Sequence, residues 1–266
     1  MKYTLTIVLA LILFSSCKAY TDKKEVEQSF SVQDTLKADA PDYKIEYIMG
    51  QFDPALDSHF VLIPSQYRDE ELRYIRKDVL NAFIKMYEAA AKDGIKLVII
   101  SATRNFYAQK RIWENKWLGK TLLEGNINAA KDIKDDVSRA KKILQYSSMP
   151  GTSRHHWGTD MDFNHLTNEW FEKGEGLKLY SWLQKNAASF GFCQPYTAMG
   201  SDRDSGYFEE KWHWTYIPIS NEITKQAKVK INNTLIKGFL GCETATKLDI
   251  LNNYILGISP KCTTKD

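Results

Sequence analysis

Two adjacent histidines precede two alternating aspartates in the stretch SRHHWGTDMDF, residues 153–163. A catalytic zinc site needs three protein ligands with nitrogen, sulfur or oxygen donors, and one open position for water. His155 or His156, together with Asp162 and His213, would supply such a set, and the chain has only five histidines in all. The pattern predicts metal-dependent hydrolysis, and the alternative is a polar turn that leads into a strand.

This site requires an extended segment around Asp162. Along a strand through residues 159–163, side chains alternate between the two faces, so Asp160 and Asp162 point to the same face. One carboxylate could bind a cation, and the other could hydrogen-bond a ligand or an arginine. Gly158 permits a turn that would bring a histidine, seven residues before Asp162, back toward the same cation.

The second half of the set lies in EEKWHWTY, residues 209–216. His213 stands between two tryptophans in an alternating strand pattern, and an acidic residue three or four positions earlier could act as a base. Glu209 has the strand parity of His213, whereas Glu210 requires a strand that begins later. These residues alone leave both open. The structural alternative is that His213 packs beside the tryptophans with both ring nitrogens satisfied.

Together the two segments resemble the VanY-type D-alanyl-D-alanine carboxypeptidases. These enzymes belong to the LAS zinc metallopeptidase group, with lysostaphin-type and hedgehog-like domains. The resemblance rests on S-x-H-x-x-G-x-x-x-D from Ser153 to Asp162, and on E-x-W-H from Glu210 to His213. Upstream, SATRNFYAQ is similar to the S-G-Y-R-x-x-x-x-Q segment of the family, so the resemblance covers roughly residues 95–217.

The resemblance implies a role for each matching position. It selects one histidine of the adjacent pair and one of the two glutamates, and it implies a single bound zinc ion. The implied roles are zinc ligands at His155, Asp162 and His213, the catalytic base at Glu210, a contact to the reacting carbonyl at Arg104, and substrate contacts at Ser153 and Gln109.

Two positions depart from the family pattern. Asp160 stands where the family usually has alanine, and Lys211 stands where it often has proline. Asp160 would add a charge near the metal, where it could bind a substrate ammonium, pair with Arg104 or Arg154, or shift the substrate preference. We therefore assign Asp160 to the predicted substrate-binding residues.

The N-terminus predicts export from the cytoplasm. MKYTLTIVLALILFSSC has a basic residue and an apolar run that is shorter than a membrane-spanning helix and typical of a secretion signal. Its end resembles a bacterial lipobox, which implies lipidation of Cys17 and anchoring to a membrane of the cell envelope. We predict a signal over residues 1–17, a flexible tether over 18–43, a peptidase domain over 44–218 and a helical extension over 219–266.

The remaining cysteines would then lie in a compartment that permits disulfides. We predict that Cys242 and Cys262 pair and so staple the C-terminal extension, which leaves Cys193 as a buried free thiol. The alternative is three free thiols. Their spacing fits no zinc-cysteine module.

The rest of the sequence favours an α+β fold with a small, mainly antiparallel sheet flanked by helices, and the resemblance implies a fold of the hedgehog and DD-peptidase kind. Helices and short strands interleave without regular βαβ alternation. The predicted helices cover residues 68–93, 129–146, 176–190 and part of TRNFYAQKRIW, and the predicted strands cover KLVIISA, residues 159–163 and KWHWTYI.

The composition of the chain limits the kinds of partner that it can bind. The chain is 43% hydrophobic and 26% charged, and its net charge of +3 is spread without a basic block, which argues against nucleic acid. The resemblance to the VanY-type enzymes implies a peptidoglycan stem peptide as partner, lipidation of Cys17 implies a membrane, and we expect a monomer. The expected reaction is removal of the terminal D-Ala. The alternatives are a peptidoglycan endopeptidase, a D-Ala-D-Ala dipeptidase, or a non-catalytic zinc-containing cell-wall module.

Overall fold

Short helices surround a small antiparallel sheet in the computed structural model of this protein, which describes residues 41–263. The predicted signal at residues 1–17 and most of the predicted tether lie outside the described residues. The α-helices are α1 (Ile45–Ile48), α2 (Lys77–Lys92), α3 (Phe106–Trp117), α4 (Ala129–Asp132), α5 (Asp136–Ile143), α6 (Gly174–Asn186), α7 (Ile217–Lys230) and α8 (Thr244–Lys247). The strands are β1 (Phe60–Leu62), β2 (Tyr74–Arg76), β3 (Ile99–Ser101), β4 (Asp160–Phe163), β5 (Phe192–Cys193) and β6 (His213–Tyr216).

The main sheet has the strand order β3-β4-β6-β5, and β1 pairs with β2 in a separate two-stranded sheet. All four pairings between these strands are antiparallel. The register of β4 and β6 places Asp162 opposite His213 and Asp160 opposite Thr215. The predicted α+β class with a mainly antiparallel sheet is therefore confirmed.

One face of the main sheet packs against α2 and α6. The buried residues of α2 recur at helical spacing, among them Val79, Phe83 and Met86, so one stripe of the helix faces the sheet. Phe83 stacks on Phe163 of β4 with ring centroids 5.6 Å apart. Because Met161 and Phe163 enter this core, the alternation of β4 turns its two aspartates to the opposite face.

The helix predicted over 176–190 is α6, Gly174–Asn186, followed by a 3-10 segment, and two other predicted helices differ more in their bounds. The helix predicted over residues 68–93 begins only at Lys77, because Tyr74–Arg76 pairs with β1 as a strand, and Ile75 satisfies strand and helix periodicity alike. The helix predicted over 129–146 is divided into α4 and α5. Asp135 separates them, because its carboxylate accepts from the Ser138 backbone N–H at 2.7 Å and caps α5.

The predicted pairing of Cys242 with Cys262 is wrong. Cys262 forms a disulfide with Cys193 in β5, and Cys242 is free. The tail is thus fixed directly to the edge strand of the main sheet, because the chain folds back across the 69 residues that separate the two cysteines. Sequence proximity favoured the other pair, and only the fold decides which sulfurs meet.

The residues after 219 share a core with the rest of the fold. Phe239, Leu248 and Ile250 join a buried cluster with Trp113 and Trp117 of α3. At the other end of the described chain, Gln226 Nε2 of α7 donates to the Pro41 carbonyl at 2.7 Å. Within residues 41–263, no helix combines the length and the apolarity that crossing a membrane requires.

Candidate active site

The two strands at the centre of the sheet bring Asp162 and His213 side by side, and a tight turn adds His155. That turn is the 3-10 segment Arg154–Trp157, which ends at Gly158 with φ 71°. A Cβ at Gly158 would lie 2.4 Å from a ring carbon of Phe60, so only glycine fits there. The backbone therefore turns at Gly158 and brings His155 back toward Asp162, as the sequence predicts.

The ligand atoms of His155, Asp162 and His213 converge. One such atom from each residue lies within 4.8 Å of the others, and all three side chains are buried. His155 Nε2 lies 3.4 Å from Asp162 Oδ2, and His213 Nδ1 lies 3.2 Å from Asp162 Oδ1. Tetrahedral zinc with bonds near 2.1 Å spaces its ligand atoms by about 3.4 Å. Each nitrogen lies at about this distance from one of the two Asp162 oxygens, Oδ2 for His155 and Oδ1 for His213.

In both His155 and His213, the ring nitrogen that faces away from the convergence point forms a hydrogen bond. His155 Nδ1 donates to the Ala102 carbonyl at 2.8 Å, because a carbonyl can only accept. His213 Nε2 donates to Asp160 Oδ1 at 2.9 Å. Among the described residues, Asp162 Oδ1 is a buried oxygen without a hydrogen-bond partner. Two lone-pair nitrogens and an orphaned carboxylate oxygen are the donor set that a divalent ion such as zinc requires, so the residues fit this metal.

His156 is the other histidine of the pair, and it is fully buried rather than a ligand. Its Nδ1 donates to the Arg104 carbonyl at 2.5 Å, and its Nε2 accepts from the Gly151 backbone N–H at 3.1 Å. Burial is the main cause that lowers the pKa of His156 to about 3. With both nitrogens used by the backbone, His156 has no atom left for a metal.

Glu210 faces the same point from the turn that precedes β6. Strand β6 begins only at His213, so the strand alternation that would have favoured Glu209 does not extend to Glu210. Glu210 Oε2 lies 3.3 Å from His213 Nδ1. Burial raises the pKa of Glu210, His213 lowers it and Asp162 raises it, with a net rise. Burial also opposes ionisation of Asp162, but His155 and His213 outweigh it and lower its pKa.

Arg104 lies where β3 leads into α3. The Asn105 side chain caps α3 by accepting from the Ala108 backbone N–H at 2.9 Å, which fixes the turn beside Arg104. Arg104 Nη1 lies 3.7 Å from Asp162 Oδ2, and its Nε donates to Gln109 Oε1 at 3.1 Å. Gln109 in turn donates to the Ser148 carbonyl at 2.8 Å. Gln109 therefore orients the guanidinium at the cavity wall.

A cavity of about 640 Å³ opens onto these groups. Ser153 lines it, and the Ser153 hydroxyl is buried without a hydrogen-bond partner among residues 41–263. Asp160, predicted to contact substrate, is absent from the described cavity lining and is buried behind His213. The functional roles of Ser153, Gln109 and Arg104 remain predictions, but all three line this cavity.

Sequence reasoning missed Lys116, which also lines the cavity. Its Nζ donates to the Ser147 hydroxyl, and no carboxylate oxygen of the described residues lies within 4.0 Å of it. By contrast, Lys142 on the same wall is paired with Glu124 at 2.7 Å. The signal was helical spacing, because Lys116 follows Gln109 by seven residues on α3 and so shares its face.

The region that contains the site matches a known protein family. The family model VanY, D-alanyl-D-alanine carboxypeptidase, matches residues 72–219, which is more than half of the chain. The chain belongs to the VanY family. The predicted resemblance is confirmed, and the protein is a peptidase by family. All of the predicted site residues lie within the matched range of this VanY-family chain.

Two curated relatives of this chain differ in coverage. A Bacillus subtilis protein named "Putative carboxypeptidase YodJ" is 29% identical over 222 residues, which cover 81% of this chain and 71% of the relative. An uncharacterized Haemophilus influenzae protein is 29% identical over 122 residues, which cover 39% of this chain and 90% of that protein.

Two solved structures are similar to this VanY-family chain. The LdcB LD-carboxypeptidase structure has a TM-score of 0.48 and 24% identity, over 69% of this chain and 77% of that chain. A vancomycin-resistance D,D-pentapeptidase VanY mutant in complex with Zn(II) has a TM-score of 0.45 and 23% identity, over 69% of this chain and 93% of that chain. Both TM-scores lie below 0.5.

Proposed function

We propose that this protein is a zinc-dependent D,D-carboxypeptidase that removes the terminal D-Ala from peptidoglycan stem peptides. The observation that carries the proposal is that ligand atoms of His155, Asp162 and His213 converge on one point. Glu210 lies beside His213 Nδ1, the ring nitrogen that faces this point. A binding module that kept a structural metal would have no need of a buried acid beside an open ligand position. Glu210 therefore favours an enzyme.

Zinc held by three such ligands supplies Lewis acidity, which lowers the pKa of a water molecule to about 7 and polarises a peptide carbonyl. Glu210 would accept the proton of the attacking water and return it to the departing amine as the C–N bond breaks. Burial raises the pKa of Glu210, which favours the uptake of a proton by this carboxylate.

Arg104 and Lys116 would stabilise negative charges on the substrate. The Arg104 guanidinium beside Asp162 would stabilise the oxyanion that develops on the cleaved carbonyl. Lys116, which forms no ion pair within 4.0 Å among the described residues, would bind the free terminal carboxylate that distinguishes an exopeptidase substrate. Burial is the main cause that lowers the pKa of Lys116, the charge of Glu210 opposes it in part, and a bound carboxylate would oppose it further.

We also propose that the protein is exported, anchored in the cell envelope through lipidated Cys17, and monomeric. The apolar N-terminal sequence supports export. The Cys193–Cys262 disulfide also supports it, because disulfides persist in oxidising compartments and are rare in the cytosol. Replacement of Cys17 by alanine should abolish incorporation of radiolabelled palmitate and release the protein from membranes.

One experiment tests the reaction. The purified protein is incubated with a pentapeptide ending in D-Ala-D-Ala, with and without a chelator, and the products are weighed by mass spectrometry. We expect the loss of one alanine, which the chelator prevents and added zinc restores. An intact peptide beside stoichiometric bound zinc would identify a binding module. Release of the dipeptide, or cleavage inside the stem, would identify a dipeptidase or an endopeptidase.

A further inference from the structure

Asp160 is buried at the base of the metal ligands and accepts four hydrogen bonds. Its Oδ1 accepts from His213 Nε2 at 2.9 Å and from Arg154 Nε at 3.1 Å. Its Oδ2 accepts from the hydroxyl groups of Thr159 at 2.6 Å and Thr215 at 2.9 Å. The carboxylate is fully enclosed, so it is placed to act on His213 rather than on a ligand in the cavity.

Arg154 is the counter-charge of Asp160, and it is itself held from three sides. Its Nη1 donates to Thr224 of α7 at 2.9 Å, and its Nη2 donates to Thr215 at 3.0 Å. Its guanidinium lies 4.6 Å from the ring centroid of Trp157. A buried charge pair with every partner satisfied has one geometry, so the Asp160 carboxylate cannot turn away from His213.

We infer that Asp160 is a positioning residue for the metal site, which it organises through His213. By accepting the Nε2–H, it fixes the ring so that Nδ1 is the nitrogen that faces Asp162. A carboxylate behind a ligand histidine fixes its tautomer and orientation, and its loss typically reduces metal affinity about 10- to 100-fold. The inference rests on the proposed function only for the identity of the ligand, a divalent ion.

The geometry also explains why the aspartate is tolerated at a position beside a metal site. Asp160 and Asp162 lie on the same face of β4, and two uncompensated carboxylates there would repel each other. Arg154 neutralises one of them from the turn that also carries His155. The pair Arg154–Asp160 therefore links the histidine turn, β4 and β6 into one unit.

The test measures zinc affinity by chelator competition in the full chain and in Asp160→Ala. A matched control is Thr224→Val, which removes one hydrogen bond of Arg154 but leaves the contact between Asp160 and His213. We expect zinc affinity to fall about 10- to 100-fold in Asp160→Ala and to stay within about twofold of the wild type in Thr224→Val. The ¹⁵N chemical shifts of His213 should report one Nε2–H tautomer in the wild type and a mixture in Asp160→Ala.

Asp160→Ala leaves Arg154 buried without its partner, so a second variant guards against loss of the fold. Arg154→Met combined with Asp160→Ala removes both charges, which proteins often tolerate. Zinc affinity and a His213 tautomer like those of the wild type in a folded Asp160 variant would overturn the inference. Tight zinc binding by the wild type without cleavage of D-Ala-D-Ala would overturn the proposed function and leave the inference intact.

Discussion

Glu210 Oε2 lies 3.3 Å from His213 Nδ1, three residues further along the chain. The turn before β6 creates this proximity, because the His213 backbone N–H donates to the Glu210 carbonyl at 3.2 Å and folds the chain back on itself. The same atom of His213 also faces Asp162. One short segment thus contributes both a proposed metal ligand and the proposed proton acceptor, and their functions can be separated by mutation.

Glu210→Gln should retain zinc and lose activity. The amide keeps the shape of the side chain but cannot accept the proton of the attacking water, so we expect kcat to fall about 10²- to 10⁴-fold. His213→Ala should instead lose zinc, because only two ligands would remain. Zinc content by elemental analysis and kcat on the pentapeptide check both variants. A Glu210→Gln enzyme with normal kcat would remove Glu210 from the mechanism.

Lys116→Met should weaken the binding of peptides with a free C-terminal carboxylate. A hydrogen bond to a charged group contributes about 1.5–3 kcal/mol, so kcat/KM should fall about 10- to 100-fold, mainly through KM. A C-terminally amidated peptide should be a poor substrate of the wild type and should lose nothing further in the variant. Lys142→Met is the matched control, because Lys142 is already paired with Glu124. An equal loss in both variants would mean that Lys116 contributes only general charge.

Much of the site could be predicted because its residues are clustered in two short segments. Local alternation places Asp160 and Asp162 on one face, and the glycine after the histidine pair predicts the turn. The choice between His155 and His156 could not come from spacing. It depends on two backbone groups, the Arg104 carbonyl and the Gly151 N–H, which occupy both nitrogens of His156.

The parts that could not be predicted depend on residues far apart in the sequence. The position of Asp160 behind His213 requires Arg154, whose outer nitrogen reaches Thr224, 70 residues away on α7. The disulfide likewise joins Cys193 to Cys262 because the tail packs across α3 and returns to β5. Helix bounds failed where an apolar residue satisfies two periodicities, as Ile75 does in β2.

The Cys193–Cys262 disulfide should contribute to stability, and Cys242 should not. In the chain-entropy model, a disulfide across 69 residues lowers the conformational entropy of the unfolded chain, which raises the free energy of unfolding by about 4 kcal/mol. We expect Cys193→Ser to lower the free energy of unfolding by up to that amount in urea, and a reducing agent to have the same effect on the wild type. Cys242→Ala should unfold like the wild type and respond to reductant. If Cys242→Ala were less stable than the wild type and a reducing agent did not change its stability, the pairing of Cys193 with Cys262 would be contradicted.

Tyr47 joins α1 to the turn that carries His155, and this bond should make stability depend on alkaline pH. Its hydroxyl donates to the Trp157 carbonyl at 2.7 Å and accepts from Arg76 Nη1 at 3.0 Å. Burial raises the pKa of the Tyr47 phenol from 10.0 to about 12, although Arg76 lowers it. As the pH rises, the unfolded chain therefore loses this proton before the folded chain does.

The stabilisation that Tyr47 provides is consequently complete below pH 10 and is lost as the pH rises toward about 12. The rise of the Tyr47 pKa from 10.0 to about 12 limits this loss to about 3 kcal/mol. Tyr47→Phe should be less stable at pH 8 by about 1 kcal/mol, and its urea midpoint should fall less steeply between pH 9.5 and 11.5. Tyr107→Phe is the matched control, because it removes the hydroxyl of a side chain that is 70% exposed. Parallel slopes for Tyr47→Phe and the wild type would show that the hydroxyl of Tyr47 does not couple α1 to the histidine turn.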